Sequence, residues 1–176
     1  MAKTNVLEGI GDFVANINRG LDEAQVDRSM LSEMDHVCYR VETNDRYNEV
    51  RRELLHATRL VRPVGEPAMI GDRPIATFQF VEPVVADGWK ISYLELPAPK
   101  DGSPYKEGLE HAEFVVLGGD LERFRIAHPH LEPFFRTGGM NKTVNPELGL
   151  KEFDMSVKFH ELALGKVVRI EQELGA

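Results

Sequence analysis

The chain has 176 residues, 42% of them hydrophobic and 28% charged, which is the composition of a folded protein rather than a disordered one. The net charge of −8 argues against nucleic acid as a partner, because binding to a phosphate backbone depends on clustered Lys and Arg. A single cysteine, Cys38, excludes an internal disulfide and any Cys-rich zinc site, and residues 1–30 lack an apolar run of signal-peptide or membrane length. The sequence therefore predicts a cytoplasmic protein without a membrane partner.

Helices are predicted at the start of the chain. The apolar residues from Val6 to Leu21 recur at the spacing of one helical face, and Asn5 is a candidate cap. Gly20 is expected to end this helix before a second short helix over residues 24–30. We expect residues 1–33 to form a helical extension that packs on a sheet.

A first structural module follows this extension. From Asp35 the period changes to two, which indicates a strand with His36 and Arg40 on one face. The next predicted elements are a helix that begins near residue 45 and strands over residues 58–61, 74–81 and 89–96. This βαβββ order covers residues 34–97, and the Pro- and Gly-containing residues 98–109 predict a stiff linker.

The second half of the chain repeats this order. His111 lies 75 residues after His36, and Asp120, at the start of the next predicted helix, lies at the same offset from Asp45. The predicted elements are a strand from residue 110, a helix over 121–131, a strand near 134–135, a turn-rich segment over 137–149, a last strand over 151–160 and a helical tail over 161–174. We therefore expect residues 110–176 to form a second βαβββ module, and the fold class to be α+β, with the paired modules enclosing a partly open, barrel-like cavity.

The predicted strands carry a symmetric set of metal donors. His36 and His111 lie on the first strand of each module, and Glu95 and His160 lie on the last strand of each. Metal sites in enzymes use three or four His or carboxylate ligands held on rigid elements. The four donors converge if the two sheets face each other around a pseudo-twofold axis, so the sequence predicts a divalent-metal site, and Zn²⁺, Ni²⁺, Mn²⁺ and Fe²⁺ all suit such ligands.

Other polar residues are candidates for catalysis or for substrate binding. Glu113 shares the strand face of His111 and is a candidate general base. The substrate-binding candidates share a face with a predicted donor or enter a strand from a turn: Arg40, Arg73, Tyr93 and Lys158. A guanidinium on the His36 face can hold an anionic substrate or pair with an acid.

Several neighbouring residues are assigned structural roles instead. Asp35 and Glu110 precede the two strand histidines, so strict alternation predicts that they point away as exposed acids. His128 and His130 flank Pro129 at a helix end, where a structural role is expected.

Several segments together resemble one known family. They are Asp35-His36, Arg40, Gly71 to Ile75, Glu95 to Pro97 with Pro99, Tyr105 to Glu113, and Lys158 to His160. These segments, which span residues 35–160, are similar to the YecM family, a branch of the vicinal oxygen chelate superfamily that includes glyoxalase I and extradiol dioxygenases. The resemblance implies the paired βαβββ fold and a divalent metal bound by His36, Glu95, His111 and His160, the last of which replaces the usual Glu.

Two functions are compatible with these residues. The first is a metal-dependent enzyme in which the ion holds vicinal oxygens of a small substrate, with isomerase, lyase or oxygenase chemistry. The alternative is a non-catalytic protein that binds or sequesters a small molecule on the same scaffold. The sequence defines neither the substrate nor the oligomeric state.

Overall fold

The computed structural model describes residues 6–103 and 105–174, so the predicted cap Asn5 lies outside the described residues. Within these ranges the chain forms four α-helices and nine strands. The helices are α1 Ile10–Glu23, α2 Asn44–His56, α3 Leu121–Ala127 and α4 Leu164–Leu174. The strands are β1 Leu31–Arg40, β2 Val61–Pro63, β3 Ala68–Ile70, β4 Arg73–Ala86, β5 Trp89–Pro97, β6 Gly108–Val116, β7 Phe135–Arg136, β8 Glu147–Leu150 and β9 Val157–His160.

The described strands form one open mixed sheet with the order β2-β4-β5-β1-β6-β9-β8-β7, and β3 pairs with β4. In each half the first strand pairs parallel with the last, as β1 with β5 and β6 with β9. The two halves meet where β1 pairs antiparallel with β6. The predicted α+β class is confirmed, and both halves follow the βαβββ order, with β3 as an additional strand in the first half. The strands that carry His36 and His111 are neighbours at the centre of the sheet.

A tight hairpin that the sequence analysis did not predict joins β3 to β4. Gly71 and Asp72 form its two-residue loop with φ values of 59° and 61°. Positive φ at both positions is the requirement of a type I′ turn, which glycine and aspartate tolerate. The turn places Arg73 at the first position of β4, opposite Ile70.

The first helix shows why one sequence prediction is wrong. Gly20 does not end α1, which continues to Glu23. A Cβ atom at Gly20 would lie 2.7 Å from the side chain of Met155 and 2.9 Å from the carbonyl oxygen of Phe153. The glycine therefore allows a close approach between the helix and the segment before β9 rather than a stop.

The core lies between the helices and the sheet. Phe114, Phe124 and Phe159 are fully buried, and the ring of Phe159 contacts the other two at centroid distances of 6.0 and 4.5 Å. The apolar face predicted for α1 is buried against this core, as the sequence pattern indicated. Among residues 6–103 and 105–174, none of the helices has the length and apolar character that a membrane crossing requires.

Candidate metal centre

Asp35 lies at an irregularity in the pairing of β1 with β6. Met34 pairs with Phe114 and His36 pairs with Glu113, so Asp35 has no residue opposite it. A bulge of this kind re-aims side chains, and bulges are frequent beside functional sites. Asp35 is only 3% exposed, and its Oδ2 lies 2.8 Å from His36 Nδ1. The prediction of an exposed strand-start acid is therefore wrong, because the strand already begins at Leu31 and the bulge breaks the alternation.

The same irregularity recurs on β6 at the equivalent position. Cys38 pairs with His111 and Tyr39 pairs with Leu109, which leaves Glu110 without a residue opposite it. Glu110 Oε2 lies 3.0 Å from His111 Nδ1. The prediction that this acid is exposed and points away is also wrong, again because a bulge breaks strict alternation. Both halves therefore place an acid beside the Nδ1 atom of their strand histidine.

The two acids fix the orientation of the histidine rings. A carboxylate only accepts, so Nδ1 of His36 donates to Asp35, and in the neutral ring the lone pair lies on Nε2, which faces the cavity. The backbone N–H of Leu164 donates to the same oxygen of Asp35 at 2.8 Å. Within the described residues, His36 Nε2 is buried and makes no well-formed hydrogen bond, although Oε2 of Glu113 lies 3.3 Å away. A buried ring nitrogen without a partner is unfavourable unless a ligand satisfies it.

Glu113 lies at the point where the three predicted histidines meet. Its Oε2 contacts Nε2 of His160 and lies 3.3 Å from Nε2 of His36. Its Oε1 lies 2.9 Å from Nε2 of His111 and 3.3 Å from the Nζ atom of Lys158. One buried carboxylate thus joins side chains from β1, β6 and β9.

Glu95 approaches the same point from β5. One donor atom each from His36, Glu95 and Glu113 lies within 4.8 Å of the others, a spacing that one ion can bridge. The four predicted donors and Glu113 all line a single cavity of about 360 Å³. The structure therefore brings the predicted donor residues together and adds Glu113 to them.

A second group of donor atoms lies beside the first. Cys38, Glu110 and His111 also lie within 4.8 Å of one another. Glu110 Oε2, however, already accepts hydrogen bonds from His111 Nδ1 and from Nε of Arg40. The hydrogen bond with His111 and that with Arg40 outweigh burial and lower the pKa of Glu110 to about 2. This group is satisfied internally and orients His111.

The charges of the histidines and carboxylates in the cavity depend on one another. Burial disfavours the charged ring of His36, but Glu113, Asp35 and Glu95 outweigh it and hold the pKa of His36 well above its usual value. Burial also opposes the charge of Glu113, yet the nearby histidines keep the pKa of this carboxyl well below its usual range. Without a metal, protons on the rings balance the carboxylates, so the site is built to hold positive charge.

Three of the four predicted substrate-binding residues lie at the cavity. Arg40, Arg73 and Lys158 line the cavity, whereas Tyr93 is not among its lining residues. The hydroxyl of Tyr93 packs where a Cβ atom of Gly165 would stand, so this tyrosine supports the start of α4.

The wall that α4 and the segment from Lys142 to Glu147 build over the cavity was not predicted from the sequence. The additional lining residues include Lys142, Glu147, Leu164 and Val167. The apolar spacing of the tail predicted a helix, and α4 confirms it. No signal in the local sequence places that helix against a site formed by β1 and β6.

A crystal structure of methylmalonyl-CoA epimerase has the same fold, with a TM-score of 0.50 and 10% identity over 74% of this chain and 95% of that chain. The chain therefore shares the paired-module fold of this epimerase.

Within that fold, the chain belongs to the YecM family. This family, described as "YecM protein", matches residues 2–132. Protein YecM of Escherichia coli (strain K12) is 28% identical over 151 residues, which cover 78% of each sequence. A solved structure described as "Structural Genomics, Protein EC4020" is 26% identical, with a TM-score of 0.65 and 98% of both chains covered. The family match ends before Lys158 and His160, so the structure alone places these two residues at the site.

Proposed function

We propose that this protein is a divalent-metal-dependent enzyme that acts on a small, oxygen-bearing substrate. The observation that carries the proposal is the buried Nε2 of His36, which makes no well-formed hydrogen bond in the described part of the chain. Asp35 holds the ring with this lone pair directed toward Glu95 and Glu113. An acid behind a histidine that faces two carboxylates is the usual arrangement of a metal ligand with its supporting residue.

The donor set fits a first-row divalent ion. In this proposal His36 and at least one of the carboxylates Glu95 and Glu113 hold the ion, and the Nε2 atoms of His111 and His160 lie beside it. Imidazole and carboxylate together suit Zn²⁺, Ni²⁺, Mn²⁺ or Fe²⁺. When bound, such an ion supplies a Lewis acid that polarises substrate oxygens.

The side chains around the ion would do the remaining chemistry. Lys158 cannot serve as a base, because Glu113 and Glu147 overcome the effect of burial and raise the pKa of its ammonium group. It is suited to bind an anionic oxygen instead. Of the carboxylates that line the cavity, Glu95 and Glu113 are the two that lie close to His36, so one can bind the ion while the other moves a proton. This arrangement favours isomerase or lyase chemistry over an oxygenase.

The proposal is tested by metal analysis of untagged protein purified without chelators. We expect about one ion per chain in the wild type and in His56→Ala, which alters an exposed histidine on α2. His36→Ala should lose the ion. Glu113→Gln tests the role of this carboxylate. Loss of the ion in this variant would show that Glu113 is a ligand, and retention of the ion would assign Glu113 to proton transfer. A wild type that takes up none of the four ions would contradict the proposal.

A further inference from the structure

A second polar cavity of about 630 Å³, here called the outer groove, adjoins the metal cavity. It lies between the first turn of α2, the β3–β4 hairpin and the segment after β5. Its lining residues are Asn44, Tyr47, Asn48, Gly71, Asp72, Arg73, Pro74, Pro99, Lys100 and Asp101. Arg73 and Lys100 line both cavities, so the two spaces are adjacent at these cations.

Two buried polar atoms of the outer groove lack partners. The hydroxyl of Tyr47, a residue that is 4% exposed, has no hydrogen-bond partner among the described residues, and neither has Nε of Arg73. The guanidinium of Arg73 is held in place because its Nη1 donates to the carbonyl oxygen of Ala98 at 2.8 Å. Since Nε–H only donates, the atom that satisfies it must be an acceptor.

The start of α2 adds positive potential to the same place. Asn44 is the first residue of this 13-residue helix, and Thr43 caps it by accepting from the N–H of Arg46. The free N–H groups of a first helical turn carry partial positive charge and attract anions. Tyr47 lies one turn further along and lines the groove with Asn44.

Two acids also line the groove, but they do not neutralise its cations. Asp72 and Asp101 are exposed to solvent. Within the described ranges, Arg73 and Lys100 form no ion pair with either acid, or with any other. Solvated carboxylates oppose an approaching anion weakly, whereas a buried guanidinium without an acid binds one strongly.

We infer that the outer groove binds an oxyanion, a phosphate or a carboxylate, at the far end of the substrate whose other end reaches the metal cavity. The inference rests on the proposed function, and it narrows the substrate class to small anionic molecules with a second oxygen-bearing end. Arg73 would contact both ends of such a molecule, because it lines both cavities.

The test is a titration of metal-free, isotope-labelled protein with inorganic phosphate and, separately, with acetate, followed by amide chemical shifts. We expect shifts at the start of α2 and at the β3–β4 hairpin. Arg73→Gln should weaken binding about tenfold and Tyr47→Phe about threefold. Arg62→Gln, which alters an exposed arginine on β2, should bind as the wild type does. Tighter phosphate binding assigns a phosphorylated substrate, and tighter acetate binding a carboxylated one.

The result of this anion titration can be told apart from the result of the metal analysis. His36→Ala, expected to lose the ion, should keep its phosphate affinity, so failure of the metal site is seen in metal content alone. Absence of shifts with both anions would overturn the inference, as would binding that Arg73→Gln and Tyr47→Phe leave unchanged.

Discussion

At the scale of single residues, the Asp35–His36 hydrogen bond supports the site most directly. Asp35→Asn keeps the shape of the side chain but removes the charge that fixes the His36 tautomer. We expect it to weaken metal affinity about 10- to 100-fold with little effect on folding. Metal competition titrations would measure this, with Asp45→Asn, an exposed acid on α2, as the control. Equal metal affinity in Asp35→Asn and the wild type would show that Asp35 does not support the metal site.

The sequence predicted which candidate donors lie close together, but it did not predict the acids beside them. His36 and His111 stand out because they occupy equivalent positions on two predicted strands. Asp35 and Glu110 were wrongly predicted to point away from the site. The bulges that turn them toward it depend on the pairing of β1 with β6, two strands that are distant in sequence. Glu113 was identified as a site residue, yet its contacts with three histidines follow only from the folded sheet.

At the scale of elements, His128 joins the segment between α1 and β1 to the second half. The buried ring donates from Nδ1 to the carbonyl oxygen of Phe124 at 2.7 Å, and Nε2 accepts from the N–H of Asp27 at 2.9 Å. His128→Ala leaves both backbone groups without partners, so we expect a loss of about 2–3 kcal/mol in the free energy of unfolding. Urea denaturation would measure it. His56→Ala should change stability by less than about 0.5 kcal/mol.

Glu107 ties helix α2 to the segment before β6. Its carboxylate accepts from Nε of Arg46 at 3.0 Å and from the hydroxyl of Tyr39 at 3.0 Å. The hydrogen bond from Arg46 outweighs partial burial and lowers the pKa of Glu107.

A carboxyl whose pKa is lower in the folded state than in the unfolded state stabilises fully above its unfolded value. This contribution is lost as the pH falls below about 4.5 and through the folded pKa. Glu107→Gln should therefore lose about 1 kcal/mol at neutral pH and show a smaller decline in acid. Urea denaturation at pH 7 and pH 3.5 tests this, with exposed Glu42→Gln as the control; parallel pH profiles for Glu107→Gln and the wild type would refute it.

Elements with strong periodicity were predicted, whereas the short strands β3 and β8 were not. The apolar stripes of α1 and α4 and the alternation in β5 indicated their type. The short strand β3 is exposed and lies among Pro and Gly residues, so it carries no alternation. The last strand was predicted to begin at residue 151, but residues 151–156 turn against α1, and β9 begins only at Val157.

At the scale of the whole molecule, the repeated order of elements predicted the fold, and the proposed ion lies where the two halves meet. His36 and His111 belong to different halves, and β1 and β6 form the contact between them. The offset of 75 residues shows in the sequence, whereas the way the halves pair depends on long-range strand contacts.

A bound ion should therefore stabilise the complete fold. A ligand at 100 times its dissociation constant adds about 2.7 kcal/mol to the free energy of unfolding. We expect this increase in the wild type on addition of the ion, reversed by a chelator, and no increase in His36→Ala. Urea denaturation with and without the ion provides the measurement. The same increase in the free energy of unfolding of the wild type and of His36→Ala would show that the ion binds elsewhere.

The most direct test of the central claim is a crystal structure of the metal-loaded protein with anomalous diffraction recorded at the absorption edge of the ion. We expect one anomalous peak in the cavity, between Nε2 of His36 and the carboxylates of Glu95 and Glu113, and its loss in His36→Ala. An empty cavity in metal-loaded crystals, or a peak at a surface histidine such as His56, would contradict the metal centre and favour the non-catalytic binding protein.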